Sequence, residues 1–128
     1  MFNLTVVFPK LPDMRLSTNG RGNLHYMERS KLVKEARDEA YYLAKDALSK
    51  CDYWTAPAKA RISYEFYMTD HRVKDMDNLV SACKPWCDSL VAAGIINSDS
   101  GWDLALGSGD FIFSNEKQTR LIIKPIEE

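Results

Sequence analysis

Histidine and cysteine are scarce in this chain of 128 residues, which holds only His25 and His71 and only Cys51, Cys83 and Cys87. With so few, no Ser-His-Asp or Cys-His arrangement for nucleophilic catalysis is apparent. An odd number of cysteines without framework spacing fits reduced thiols better than disulfides. Cys83 and Cys87 stand four apart, but a zinc site would need two further soft ligands. Only Cys51, His25 and His71 remain, unclustered in sequence, so the pair reads as small core or helix-face residues. No apolar run approaches the ~18–20 residues of a membrane span. The opening Met1-Phe2-Asn3-Leu4 lacks the charged and apolar regions of a signal peptide, and the expectation is a cytoplasmic protein. There is no internal repeat, heptad run or low-complexity tract.

Net charge is also nearly missing: 17 Lys+Arg stand against 18 Asp+Glu, a balance of -1. Bulk positive charge therefore does not explain any grip on nucleic acid. The charge is unevenly spread, however. Residues 1–37 hold Lys10, Arg15, Arg21, Arg29, Lys31, Lys34 and Arg37 against Asp13, Glu28 and Glu35, a local +4, and the rest of the chain sums to -5. A basic face beside an acidic site leaves such a total, and so does an ordinary mixed surface.

The length suits a single domain over residues 1–128. Asn3 to Phe8 reads as a strand with Leu4, Val6 and Phe8 on one face, stopped by Pro9. A loop from Lys10 to about Asn23 follows. From about Met27 to Ser49, Leu32, Ala36, Ala40, Leu43 and Ala47 recur at helical steps. Ala60 to Met68 alternates cleanly as a strand. A second helical stretch from about Asp77 to Ala93 holds Pro85, which should kink or restart it, and ends at Gly94. Ile95 to Gly109 reads as loop, with one helical turn near Trp102 to Leu106. Strands near Asp110 to Ser114 and Thr119 to Ile126 are expected to form a hairpin across Asn115-Glu116-Lys117. The order β-α-β-α-β-β predicts an α+β fold, a small mixed sheet with two main helices packed on it.

The chemistry concentrates between Lys74 and Asp99. Asp75 and Asp77 stand two apart at a helix start, and residues so spaced project the same way in extended backbone. Two carboxylates aimed at one point repel unless a cation lies between them. Hard oxygen donors suit Mg²⁺, or Mn²⁺ in its place. Asp99, after the turn that follows the helix, is a third such carboxylate, and the helix N-terminus favours a phosphate. The alternative is plain capping, because acidic residues before a helix satisfy its first amides and complement its dipole.

Asp75-Met76-Asp77-Asn78, the helix Lys84 to Leu90 with its Lys-Pro start, the turn Ala93-Gly94-Ile95-Ile96 and then Asp99 together resemble the RusA family of Holliday-junction resolvases, common in phages and prophages. The first strand, Pro-containing loop and long helix follow that family's arrangement, so the likeness spans nearly the whole chain. The resemblance implies a Mg²⁺-dependent endonuclease. Two subunits of a homodimer would each nick one strand of a four-way DNA junction, in a bacterial or phage-infected cell. It implies Asp75, Asp77 and Asp99 as metal ligands and a catalytic lysine near the scissile phosphate.

Two departures matter. Ser98 stands where the family often has a further acid. Ser81 stands where the lysine is common, and Lys84 lies three residues on, so a three-residue insertion is read before it. A step of seven from Asp77 keeps Lys84 on nearly the same helical face, shifted by about one turn of 5.4 Å. DNA contact is expected from Lys10, Arg15, Arg21, Arg72 and Lys74, through salt-sensitive phosphate contacts. His71 is a possible ligand or base, but reads first as a surface residue. Of Trp54, Trp86 and Trp102, only Trp102 is a candidate for stacking on DNA. Two other readings stay open: a branched-DNA binder without catalysis, and an interaction domain in which Asp75 and Asp77 only cap a helix.

Overall fold

The computed structural model describes residues 3–17, 25–72 and 74–126. Arg21, expected to contact DNA, lies outside the described residues, as does part of the loop that was expected to run to Asn23. The elements in chain order are β1 (Leu4–Phe8), a 3₁₀ turn (Met14–Leu16), α1 (Tyr26–Ser49), β2 (Ala60–Met68), α2 (Met76–Ala82), α3 (Lys84–Ala93), β3 (Leu104–Phe113) and β4 (Gln118–Pro125). The fold is α+β, as the element pattern implied. No helix among the described residues is long and apolar enough to cross a membrane.

The strands form one mixed sheet in the order β1-β4-β2-β3. β4 runs antiparallel to both β1 and β2, while β2 and β3 are parallel. A parallel pair needs a crossover of a dozen or more residues, and α2 with α3 supplies it. Alternation decides which face the helices cover. Ile62, Tyr64, Phe66 and Met68 of β2 are buried with Val6 and Phe8 of β1 and Leu121 and Ile123 of β4. Ala40 and Ala44 of α1 and Leu79, Trp86 and Leu90 of the helix pair close over them. Phe8 and Trp86 stack face to face with centroids 3.9 Å apart, which joins the edge strand to α3.

The helical stretch divides where Pro85 requires. Cys83 ends α2, its carbonyl accepts from the amide of Cys87 at 3.0 Å, and Pro85 sits in the first turn of α3. There its missing N–H costs nothing. Gly94 closes α3 at φ 88, the left-handed geometry expected of a C′ glycine.

Two expectations are corrected. Residues Asn115 to Lys117 do not turn a hairpin, because β3 and β4 lie on opposite sides of β2. The amide of Ser114 donates to the Met68 carbonyl at 2.7 Å, and the link then steps over the end of β2. The alternating β2 gains a partner on each edge, a tertiary demand that turn residues do not announce. Nor does the loop from Ile95 run on to Gly109 with a helical turn near Trp102 to Leu106: it ends at Asp103, and β3 begins at Leu104. Gly107, Ser108 and Gly109 weaken its strand signal. They accompany a register shift opposite Ile62–Tyr64. A Cβ on Gly107 would meet the Ile62 carbonyl oxygen at 2.9 Å, and one on Gly109 would meet the Met76 sulfur at 2.8 Å. Glycine at both places lets β3 close against β2 and α2.

Candidate active site

Asp75 holds extended backbone values just before α2, and its Oδ1 accepts from the amide of Asp77 at 3.0 Å. It is thus the N-cap, and Asp77 is the acid in the first turn. Both are exposed. Capping is realised, and it leaves Oδ2 of Asp75 and the carboxylate of Asp77 without a protein partner among the described residues.

The expected continuous helical face from Asp77 to Lys84 is corrected by the break at Cys83. Lys84 is instead the first residue of α3. Its Nζ donates to Asp88 Oδ1 at 2.9 Å, one turn on, and to Asp99 Oδ2 across the Gly94 turn. Arg37 of α1 donates to the other Asp88 oxygen at 3.1 Å. These contacts shift both partners. Hydrogen bonds to Asp99 and then Asp88 raise the Lys84 ammonium above the ordinary lysine value. The bond from Lys84 holds the Asp99 carboxyl below the ordinary carboxylate value.

Two adjoining concavities hold these groups. One of about 230 Å³ is lined by Asp77, Met76 and the β3 glycines. The other, of about 320 Å³, is lined by Lys84, Asp99, Cys87 and Leu104. Tyr64, Val80 and Ser81 belong to both. The depression therefore lies between the helix pair and the β2–β3 edge, with Asp77 toward one end and Lys84 with Asp99 toward the other. Tyr64 forms its floor, and burial pushes its phenol far above the ordinary value. Its Oη lies 3.6 Å from Cys87 Sγ, and burial pushes that thiol up to about 11. Cys83 is wholly buried and raised for the same reason. Both thiols are core residues, as their helical spacing suggested.

The donors fit Mg²⁺ in kind, being exposed carboxylate oxygens, two of them at the N-terminus of α2 and Asp99 in the link after α3. In position they are divided, since Asp99 is held by Lys84 and no three His, Cys, Asp or Glu side chains among the described residues converge to hold an ion. Ser98, at the place of a family acid, donates to Asp103 Oδ2 at 2.7 Å and so belongs to the turn before β3.

The expected DNA contacts are scattered. Lys10 pairs with Glu39 at 3.0 Å and Arg15 with Asp13 at 2.7 Å, both beside the 3₁₀ turn. Arg72 is highly exposed and only loosely paired with Asp70 at 3.9 Å, and Lys74 is half-buried just before Asp75. Trp102 is 87% exposed, while Trp86 is buried and Trp54 donates to the Ile95 carbonyl at 3.0 Å. His71 is exposed and stacks on Phe113.

Sequence reasoning did not single out Tyr64, Arg37, Gly107 or Gly109 for the site. Asp88 was readable as a partner of Lys84 at i+4; the others owe their place to strand pairing and helix packing. No protein-family model matches the chain, and no curated protein matches it.

Proposed function

We propose that the chain is a Mg²⁺-dependent, structure-selective endonuclease that resolves four-way DNA junctions by paired nicks as a homodimer. The cell of a bacterium, phage-infected or not, is the setting this activity implies. The observation that carries the reading is the gathering of Asp77, Lys84 and Asp99 on adjoining concavities, with Asp75 as the N-cap of α2 beside Asp77.

Asp75, Asp77 and Asp99 would hold the ion, which when bound supplies an activated water and neutralises charge at the phosphate. Lys84 has the complementary part. Its ammonium already faces carboxylate oxygens, and a phosphodiester is the same kind of partner, one negative charge shared by two oxygens. Arg37 holds Asp88 independently, so Asp88 keeps a cation when Lys84 turns to the substrate. An ammonium aimed at developing negative charge stabilises the transition state more than the ground state. Arg72 and Lys74 flank the Asp75 end and would take adjacent phosphates, with Lys10, Arg15 and Arg21 contacting more distant ones.

A synthetic four-way junction incubated with and without Mg²⁺, beside Asp77→Asn, tests the proposal. Metal-dependent paired nicks lost in the variant support it. A second reading, a branched-DNA binder without catalysis, draws on Ser81 in the lysine position and Ser98 engaged with Asp103. Tight junction binding without cleavage in either Mg²⁺ or Mn²⁺ selects that reading.

A further inference from the structure

β3 leaves an apolar strip bare. Leu106, Phe111 and Phe113 share the helix-bearing face through their pairing with Ile62, Phe66 and Met68, yet they are 65%, 42% and 61% exposed. α2 reaches β3 at Gly109 through Met76 but leaves these three side chains open. At its far end His71 lies flat on Phe113, with centroids 4.5 Å apart and planes inclined by 12°. Phe111 and buried Phe66 form a T-shaped pair with centroids 6.2 Å apart. Phe111, Phe113, His71 and Arg72 line a concavity of about 260 Å³. Pockets for whole drug-sized molecules start near ~300 Å³, so this one suits a single planar ring.

Charge selects the occupant. Arg72 lines this concavity beside Asp70, 3.9 Å from its carboxylate, and the positive charges of Arg72, Lys74 and Lys117 all help hold the Asp70 carboxyl below its ordinary value. Asp110, the acid of β3, pairs with Glu65 and faces the other side of the sheet. Flat rings within a cationic rim match a base and its flanking phosphates. They match a second copy of the strand less well, because the register shift beside Gly107 and Gly109 interrupts the edge that such pairing would extend.

We infer that this aromatic concavity is a stacking site for an unpaired nucleobase of single-stranded or splayed DNA, with Arg72, Lys74 and Lys117 on its phosphates. The inference rests on the DNA-directed reading above and gives it a contact for the strand next to Asp75. Base stacking on an aromatic side chain tolerates any sequence, because every base presents a π-face. It also offers a reward for opening a branch point that a duplex does not supply.

The test uses the full chain in EDTA, so that cleavage does not intervene, with a labelled twelve-nucleotide thymidylate and an abasic phosphodiester of equal length. The thymidylate should bind at least tenfold tighter than the abasic strand. Phe113→Ala should weaken it roughly 5- to 150-fold, and Phe113→Trp should restore it. Equal binding of both strands, or an unchanged affinity in Phe113→Ala, overturns the inference. So does a change from dimer to monomer in Phe113→Ala by light scattering, which would make the strip a contact between copies. Because Phe113 is exposed, its variant should fold, and circular dichroism checks this. Junction cleavage with no effect of Phe113→Ala on oligonucleotide binding removes this inference and leaves the nuclease reading. Stacking-dependent binding without junction cleavage does the reverse.

Discussion

The ammonium of Lys84, at the head of α3, donates to the carboxylate of Asp99 on the far side of the Gly94 turn. This contact closes the chain segment between the two expected active-site residues. It places a cation beside a candidate metal ligand, so an ion and Lys84 would compete for Asp99. Their separation by a helix and a turn also makes the contact sensitive to the packing of α3.

Replacement of Lys84 should divide activity from stability. Its side chain is 60% exposed, and exposed ion pairs contribute ~0–1 kcal/mol. Lys84→Met is expected to shift the urea midpoint only slightly while lowering junction cleavage by roughly 10²-fold. A loss of folding comparable to a core substitution would assign the lysine to structure instead.

The same pair sets a pH dependence. The Asp99 carboxyl is lowered below 3.8 in the folded chain by its bond from Lys84. Its contribution is therefore complete above that ordinary value and is lost as pH falls through the lowered one. The side chain is 39% exposed, so solvent screening limits the effect to about a few tenths of a kcal/mol. Denaturation of wild type and Asp99→Asn should differ at pH 7 and converge as pH falls through the lowered Asp99 value. A gap that widens in acid would contradict the ion pair.

Asp75 offers a way to part capping from chemistry. Asp75→Ala should cost ~0.5–2 kcal/mol, the usual loss of an N-cap. Serine caps nearly as well, so Asp75→Ser should restore stability to within about a few tenths of a kcal/mol. Cleavage should stay absent in both variants, because neither supplies a carboxylate. Recovery of activity in Asp75→Ser would reduce this residue to a cap.

The Phe8–Trp86 stack should carry much of the domain's stability. Phe8 is wholly buried and Trp86 is 3% exposed. Phe8→Ala should cost ~3–5 kcal/mol, against a small effect for Val7→Ala on the 40% exposed face of the same strand. Equilibrium denaturation of the two variants reads the difference directly.

Much of this architecture was legible in the residues, and the failures have a common cause. The alternation of β1 and β2, the stripe of α1, the Pro85 break and the Gly94 cap are local signals, and local sequence set them. The end of β3 from Asp110 was readable as a strand, but its first half escaped because Gly107, Ser108 and Gly109 are poor strand formers placed for close approach to Ile62 and Met76. The hairpin was misjudged because a short link can join neighbours in a sheet or step over a strand, and only β2's need for two partners decides. At the site, Asp75, Asp77 and Asp99 stood out by residue type and order, and Lys84 only through the resemblance to the RusA family. Tyr64 did not, since an alternating tyrosine in a strand reads only as core. The pairing of Lys84 with Asp99 was equally hidden, because it depends on how the Gly94 turn folds back.

The central claim is that Asp77 and its neighbours cut phosphodiesters at a branch point, and one measurement reaches it most directly. Strand-resolved cleavage of a labelled synthetic four-way junction should show paired nicks at related positions on opposite strands in Mg²⁺. It should show none in EDTA and none with Asp77→Asn that still folds and binds the junction. Intact strands in Mg²⁺ and Mn²⁺ at every junction sequence tried, or equal cleavage by Asp77→Asn, would contradict it.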